Sequence, residues 1–150
     1  MGKKMTLPVE IFNGTVEVGT RIALILTNIE NIELNLDQLA FFDYVLIYSK
    51  EFNGVANVHP PLPNHFAEII KRRETLPATL AYFISKGIIT TSIGRDGIMY
   101  KATDKAIYYT SALKSSYYKK LIQNLSWIEN NIDELFEEQK SLFTTRVRYR

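Results

Sequence analysis

Cysteine is absent from the 150 residues, which excludes disulfides, thiol catalysis and thiolate metal sites. Proline is scarce and unevenly placed: of five in all, Pro60, Pro61 and Pro63 crowd into one short stretch. The two histidines, His59 and His65, flank that stretch with no carboxylate pair nearby, so no metal site is expected. No apolar run approaches the roughly 20 residues that span a bilayer, and the one over 22–29 is broken by Thr27 and Asn28. The start, Met1-Gly2-Lys3-Lys4-Met5, lacks the apolar core of a secretory signal, and a cytoplasmic protein is expected. Glycine-rich phosphate cradles and a Gly-x-Ser-x-Gly elbow are missing too, so neither a nucleotide cofactor nor a serine nucleophile is indicated. No catalytic residue, cofactor or metal ligand is assigned, and a non-enzymatic protein is expected.

What is present is the pattern of a folded domain. The apolar share is 46%, and the length suits one core rather than two. The pattern over 74–103 is the most explicit. Leu76, Leu80, Phe83 and Ile84 repeat at helical spacing, and Gly87 sits where a left-handed cap is easiest. A β-branched run over 88–93, a turn at Gly94-Arg95-Asp96-Gly97 and an alternating run over 98–102 then read as a hairpin. Helix followed by hairpin is the second half of a winged helix-turn-helix. The expected fold is therefore mainly α with a small β-hairpin wing (α+β), extended by a long C-terminal helix.

Upstream, 1–13 reads as an irregular lead-in. A first helix follows, with Thr15 as its N-cap and Glu17 in its first turn. An extended stretch at 34–36 would pair with the hairpin, and a nearly all-apolar helix opened by Asn35 or Asp37 runs to Ser49 and is expected at the centre. The longest loop is 53–63, where the prolines impose a stiff path. Asn64 can cap a helix from His65 to about Arg73. A turn near Pro77 then leads into the next helix, with one long bent helix over 65–86 as the alternative. Thr103 or Asp104 caps a short helix, and Ser115-Ser116 breaks it before a long amphipathic helix over 117–139. The tail 144–150 alternates Arg146, Arg148 and Arg150 with Val147 and Tyr149 and can add a strand or stay disordered. The division expected is a winged-helix domain over 14–103, a helical extension over 104–143 and the basic tail.

Glu17, Arg21 and Asp43 stand on otherwise apolar helices. Buried charges need partners, so Arg21 is expected to pair with Asp43 or Glu17. The net charge of +2 is unevenly spread, because residues 71–120 carry ten basic side chains against three acidic ones. Lys71, Arg72, Arg73, Arg95 and Lys101 can meet phosphates. The outer face of the candidate recognition helix shows Thr79, Tyr82, Ser85 and Lys86 but no Arg, Asn or Gln, the side chains that read guanine and adenine edges. Sequence-specific DNA readout is not expected.

Several segments together resemble one family. These are 17–21 (Glu-Val-Gly-Thr-Arg), 36–39 with 43–46, His59-Pro60-Pro61-Leu62-Pro63, Glu68 with Arg72-Arg73-Glu74, 87–89, and 97–100. Over roughly residues 12–130 the chain resembles the middle component of bacterial ABC-three-component systems, with which the Lamassu anti-phage systems belong. The resemblance implies a small winged-helix subunit, similar to kleisin or KITE subunits. It would sit beside an SMC-like coiled-coil ATPase and an effector, often a nuclease. It would bridge or regulate the ATPase heads, with non-specific contact to double-stranded DNA, and no membrane or small-molecule partner is expected. Partner or DNA contact is expected at His59, Pro60, Pro61, Pro63, Lys71, Arg72, Arg73, Lys86, Arg95 and Lys101. The alternative from another class is a winged-helix transcription regulator that dimerises through its C-terminal helix.

Overall fold

The central helix is dictated by its composition. A computed structural model describes residues 14–59, 63–95 and 97–148. In it α1 (Thr15–Asn28) and α2 (Leu36–Ile47) are followed by a 3-10 turn (Ser49–Phe52) and α3 (His65–Ser85). The hairpin β1 (Ile89–Gly94) and β2 (Gly97–Ala102) comes next, then α4 (Asp104–Ser111), α5 (Ser116–Asn130) and α6 (Ile132–Arg148). Every residue of α2 from Leu39 to Ile47 is buried, including Asp43. A helix apolar all round must be enclosed on all sides, and α1, α3, α5 and α6 pack around it. Asn35 starts it with a reciprocal capping box: its side chain accepts from the Gln38 N–H, and Gln38 accepts from the Asn35 N–H. The described residues are thus mainly α-helical with one two-stranded antiparallel hairpin.

The expected extended stretch is one residue of pairing. Leu34, fully buried, exchanges both backbone hydrogen bonds with Tyr100 of β2, at 3.1 and 2.8 Å. Gly87 (φ +77°) and Gly97 (φ +104°) take the left-handed conformations that end α3 and close the hairpin. Asn64 caps α3 through the Ala67 N–H.

Four local expectations change. Helix α3 runs unbroken through Pro77, so the long-helix alternative is the correct one. An interior proline costs about 3 kcal/mol or more, and here burial of Ile69, Leu76, Leu80 and Phe83 along one face offsets it. Gly14, not Thr15, is the N-cap of α1. The C-terminal helix is divided at Asn131, whose side chain returns to the Trp127 carbonyl at 2.8 Å. Ile128 and Leu135 on either side are both buried at a seven-residue spacing, so the apolar rhythm passes through the break and hides it. Backbone over 144–148 is helical, the end of α6, and not a strand. The lead-in 1–13 lies outside the described residues.

The extension does not stand apart from the rest. Leu121, Leu125, Ile128 and Leu135 belong to the same core as Leu24, Phe42 and Leu46. Asn124, buried within that stripe, donates to the Leu46 and Ala56 carbonyls at 2.8 and 3.0 Å. It thereby ties α5 to the end of α2 and to the loop beyond.

Candidate functional site

The charged residues of α1 and α2 converge in the interior. Arg21 Nε donates to Asp43 Oδ1 at 2.7 Å and Nη2 to Oδ2 at 3.2 Å, with both side chains fully buried. This is the expected pair. A third member comes from α3: Arg72 Nε donates to Asp43 Oδ2 at 3.0 Å, with its side chain 11% exposed. Burial alone would disfavour charge on Asp43, but Arg21 and Arg72 override it and hold the carboxyl well below the usual range. For Arg21 burial likewise opposes the charge, and Asp43 outweighs it, raising the pKa further. Both Asp43 oxygens thus accept from guanidinium groups. The triad carries one surplus positive charge.

Aromatic rings enclose that surplus. The Arg72 guanidinium lies 5.0 Å from the Tyr44 ring centroid and 5.9 Å from that of Tyr48, a cation–π setting. Arg21 Nη1 reaches the Tyr117 hydroxyl at 3.5 Å. Above them, His59 stacks on Tyr117 with centroids 6.4 Å apart and meets Tyr48 edge-on. Burial, followed by the nearby charges of Arg21 and Arg72, pushes the His59 imidazole down to about 4, so it is neutral near pH 7. His65, the first residue of α3, hydrogen-bonds the Tyr44 hydroxyl through Nδ1, with its Nε2 3.8 Å from Glu51. Burial pushes the Tyr44, Tyr48 and Tyr117 hydroxyls up. Together these side chains form a polar cluster around His59, the last described residue before 60–62. Ser49 donates to the Ala56 carbonyl at 2.8 Å.

The structure sorts the expected contact residues into two groups. His59, Pro63, Lys71, Arg72 and Arg73 gather at the start of α3; Pro60 and Pro61 lie outside the described residues. Lys86, Arg95 and Lys101 lie at the far end of α3 and on the hairpin. The 14 residues from Arg72 to Lys86 span about 20 Å of helix, so these are two patches. Within the first, Lys71 is the most exposed cation and sits 3.7 Å from Glu68, while Arg73 pairs with Asp37. Arg72, expected on the exposed basic cluster, is turned inward because Asp43 and two tyrosine faces receive it. In the second, Lys86 lies 5.4 Å from the Tyr82 ring centroid, Lys101 is 4.0 Å from Glu33, and Arg95 is exposed at the hairpin turn.

Sequence reasoning missed Tyr44, Tyr48 and Tyr117 as parts of this site. The signal available was a tyrosine pair at i and i+4, Tyr44 and Tyr48, the first directly after Asp43 in an otherwise apolar stretch of α2. Among the described residues there is no group of three metal-ligating side chains, and no helix is long and apolar enough to cross a membrane. A family model for the ABC-three component (ABC-3C) system Middle Component 2 matches residues 11–148. No curated protein and no solved structure matches the chain.

Proposed function

From the chain's membership of the ABC-three component system Middle Component 2 family, to which it belongs over nearly its whole length, we propose a non-catalytic winged-helix subunit of a Lamassu-type defence complex. It bridges or regulates the heads of an SMC-like ATPase and its effector nuclease in the cytoplasm, and touches double-stranded DNA without sequence preference. The observation that carries this reading is the family match across residues 11–148.

Two structural features support it. The described start of the loop after α2, residues 53–59, is anchored through His59 to Tyr48 and Tyr117, and such preorganisation favours docking. The cations near the loop and on the hairpin form two separated patches rather than one groove, which suits contacts to more than one neighbour. The regulator alternative loses ground because the apolar stripe of its dimerisation helix is buried in the chain's own core.

Co-expression with the ATPase component of the same system tests the reading. Co-elution on size exclusion is the expected result, and the chain eluting alone would overturn it. For DNA, weak binding with a steep salt dependence and equal affinity for unrelated duplexes is expected. Lys71→Glu and Arg73→Glu are the variants to use for contact, since Arg72→Glu would set a carboxylate against buried Asp43.

A further inference from the structure

The hairpin has one finished side and one open side. Its two-residue turn makes Gly94 and Gly97 a hydrogen-bonded pair, so Thr90, Ser92 and Gly94 direct their backbone groups at β2. The same alternation aims the N–H and C=O of Thr91 and Ile93 away from β2. Tyr100, opposite Thr91, confirms the phase, because its own backbone groups point the other way and pair with Leu34. Among the described residues nothing pairs with the outward groups of Thr91 and Ile93. Ordinary edge strands are blunted by a lysine, a proline or a bulge. The sequence Ile89-Thr90-Thr91-Ser92-Ile93 has no charge and no proline, and its register with β2 is unbroken. Ile93 is 83% exposed and Ile98, its cross-strand neighbour, 51%. A bare strand edge and an apolar pair on one face of it therefore coincide.

We propose that the outer edge of β1 is a strand-addition site for an extended, acidic-flanked segment of a partner subunit, with Ile93 and Ile98 receiving its apolar side chains. This rests on the accessory-subunit reading above. The free groups are main-chain donors and acceptors at strand spacing, which only another extended backbone satisfies in series. Charge selects the occupant. Lys86 precedes β1 and Arg95 follows it, so each end of the strand is flanked in sequence by a cation. A second copy fits badly, because antiparallel pairing of two β1 edges would set Arg95 of one beside Lys86 of the other at each end.

Residue-resolved amide exchange tests this on the full chain, free and co-assembled with the ATPase component of its system. The expected signature is alternate: Thr91 and Ile93 amides slow by about ten-fold or more on assembly, while Thr90 and Ser92, already bonded within the hairpin, change little. Thr91→Pro removes an outward donor without touching a hairpin bond, and assembly is expected to weaken about ten-fold or more at unchanged melting temperature. If that variant melts early, Ile93→Lys makes the same test without altering the backbone. Assembly with Thr91 and Ile93 exchanging as in the free chain overturns strand addition and leaves the accessory-subunit reading standing. Failure of the unaltered chain to assemble overturns that reading and strand addition with it. Two further results overturn the proposal: protection in the isolated chain that vanishes on dilution, which would indicate a second copy, and equal slowing of residues 90–93 by duplex DNA alone.

Discussion

Asp43 is the residue on which the interior depends. Its carboxylate is shared by two guanidinium groups, one fully buried and one nearly so. Asp43→Asn keeps the shape and removes the charge, leaving Arg21 and Arg72 uncompensated. A loss of about 3–5 kcal/mol in urea unfolding is expected. Arg73→Ala breaks an exposed pair with Asp37 and is expected to cost less than about 1 kcal/mol in the same measurement. His59 gives a pH dependence. Its pKa in the folded chain is depressed from 6.5 to about 4. The stability linked to it is therefore fully present above about pH 6.5 and is lost as pH falls towards 4. The ring is only half-buried, so solvent screening reduces the effect to the order of 1 kcal/mol. His59→Phe is expected to flatten the stability profile between those pH values relative to the unaltered chain.

At the scale of elements, the crossing of α1 and α3 depends on one missing side chain. A Cβ at Gly19 would lie 2.1 Å from the Phe83 ring, which is itself buried. The two helices thus approach as closely as a glycine permits. Gly19→Ala is expected to destabilise by about 1–3 kcal/mol through overpacking. Gly19→Ala combined with Phe83→Leu is expected to recover part of that loss, which thermal melting of the two variants would show. The elements were unequally legible. Asn35 and Asp37 were both candidates for the cap of α2, whereas Gly87, the hairpin and the Asn64 cap are local chemistry, each readable from its neighbours alone. Pro77 inside α3 and the break at Asn131 were not, because burial of side chains distant in sequence decides whether a helix tolerates a proline or ends.

For the whole molecule, α5 and α6 complete a core that the first hundred residues leave open. A chain ending at residue 115 would expose Phe42 and Leu46 and leave the Leu46 and Ala56 carbonyls without Asn124. Such a truncation is expected to lose its cooperative urea transition and to bind a hydrophobic dye, while the full chain unfolds in one step by circular dichroism and by tyrosine and tryptophan fluorescence.

Sequence alone determined the helical periodicities, the hairpin, the central place of α2 and the need of Arg21 for a carboxylate partner. Each of these follows from short-range spacing or from the cost of burying a single charge. It also carried the family likeness, through segments scattered from Glu17 to Tyr100. Only the tertiary structure decided that Arg72 turns inward to share Asp43 and that Tyr48 and Tyr117 hold His59. It also decided that, among the described residues, one edge of β1 stays unpaired. Those outcomes depend on which helix faces which, and therefore on distances between residues that are far apart along the chain.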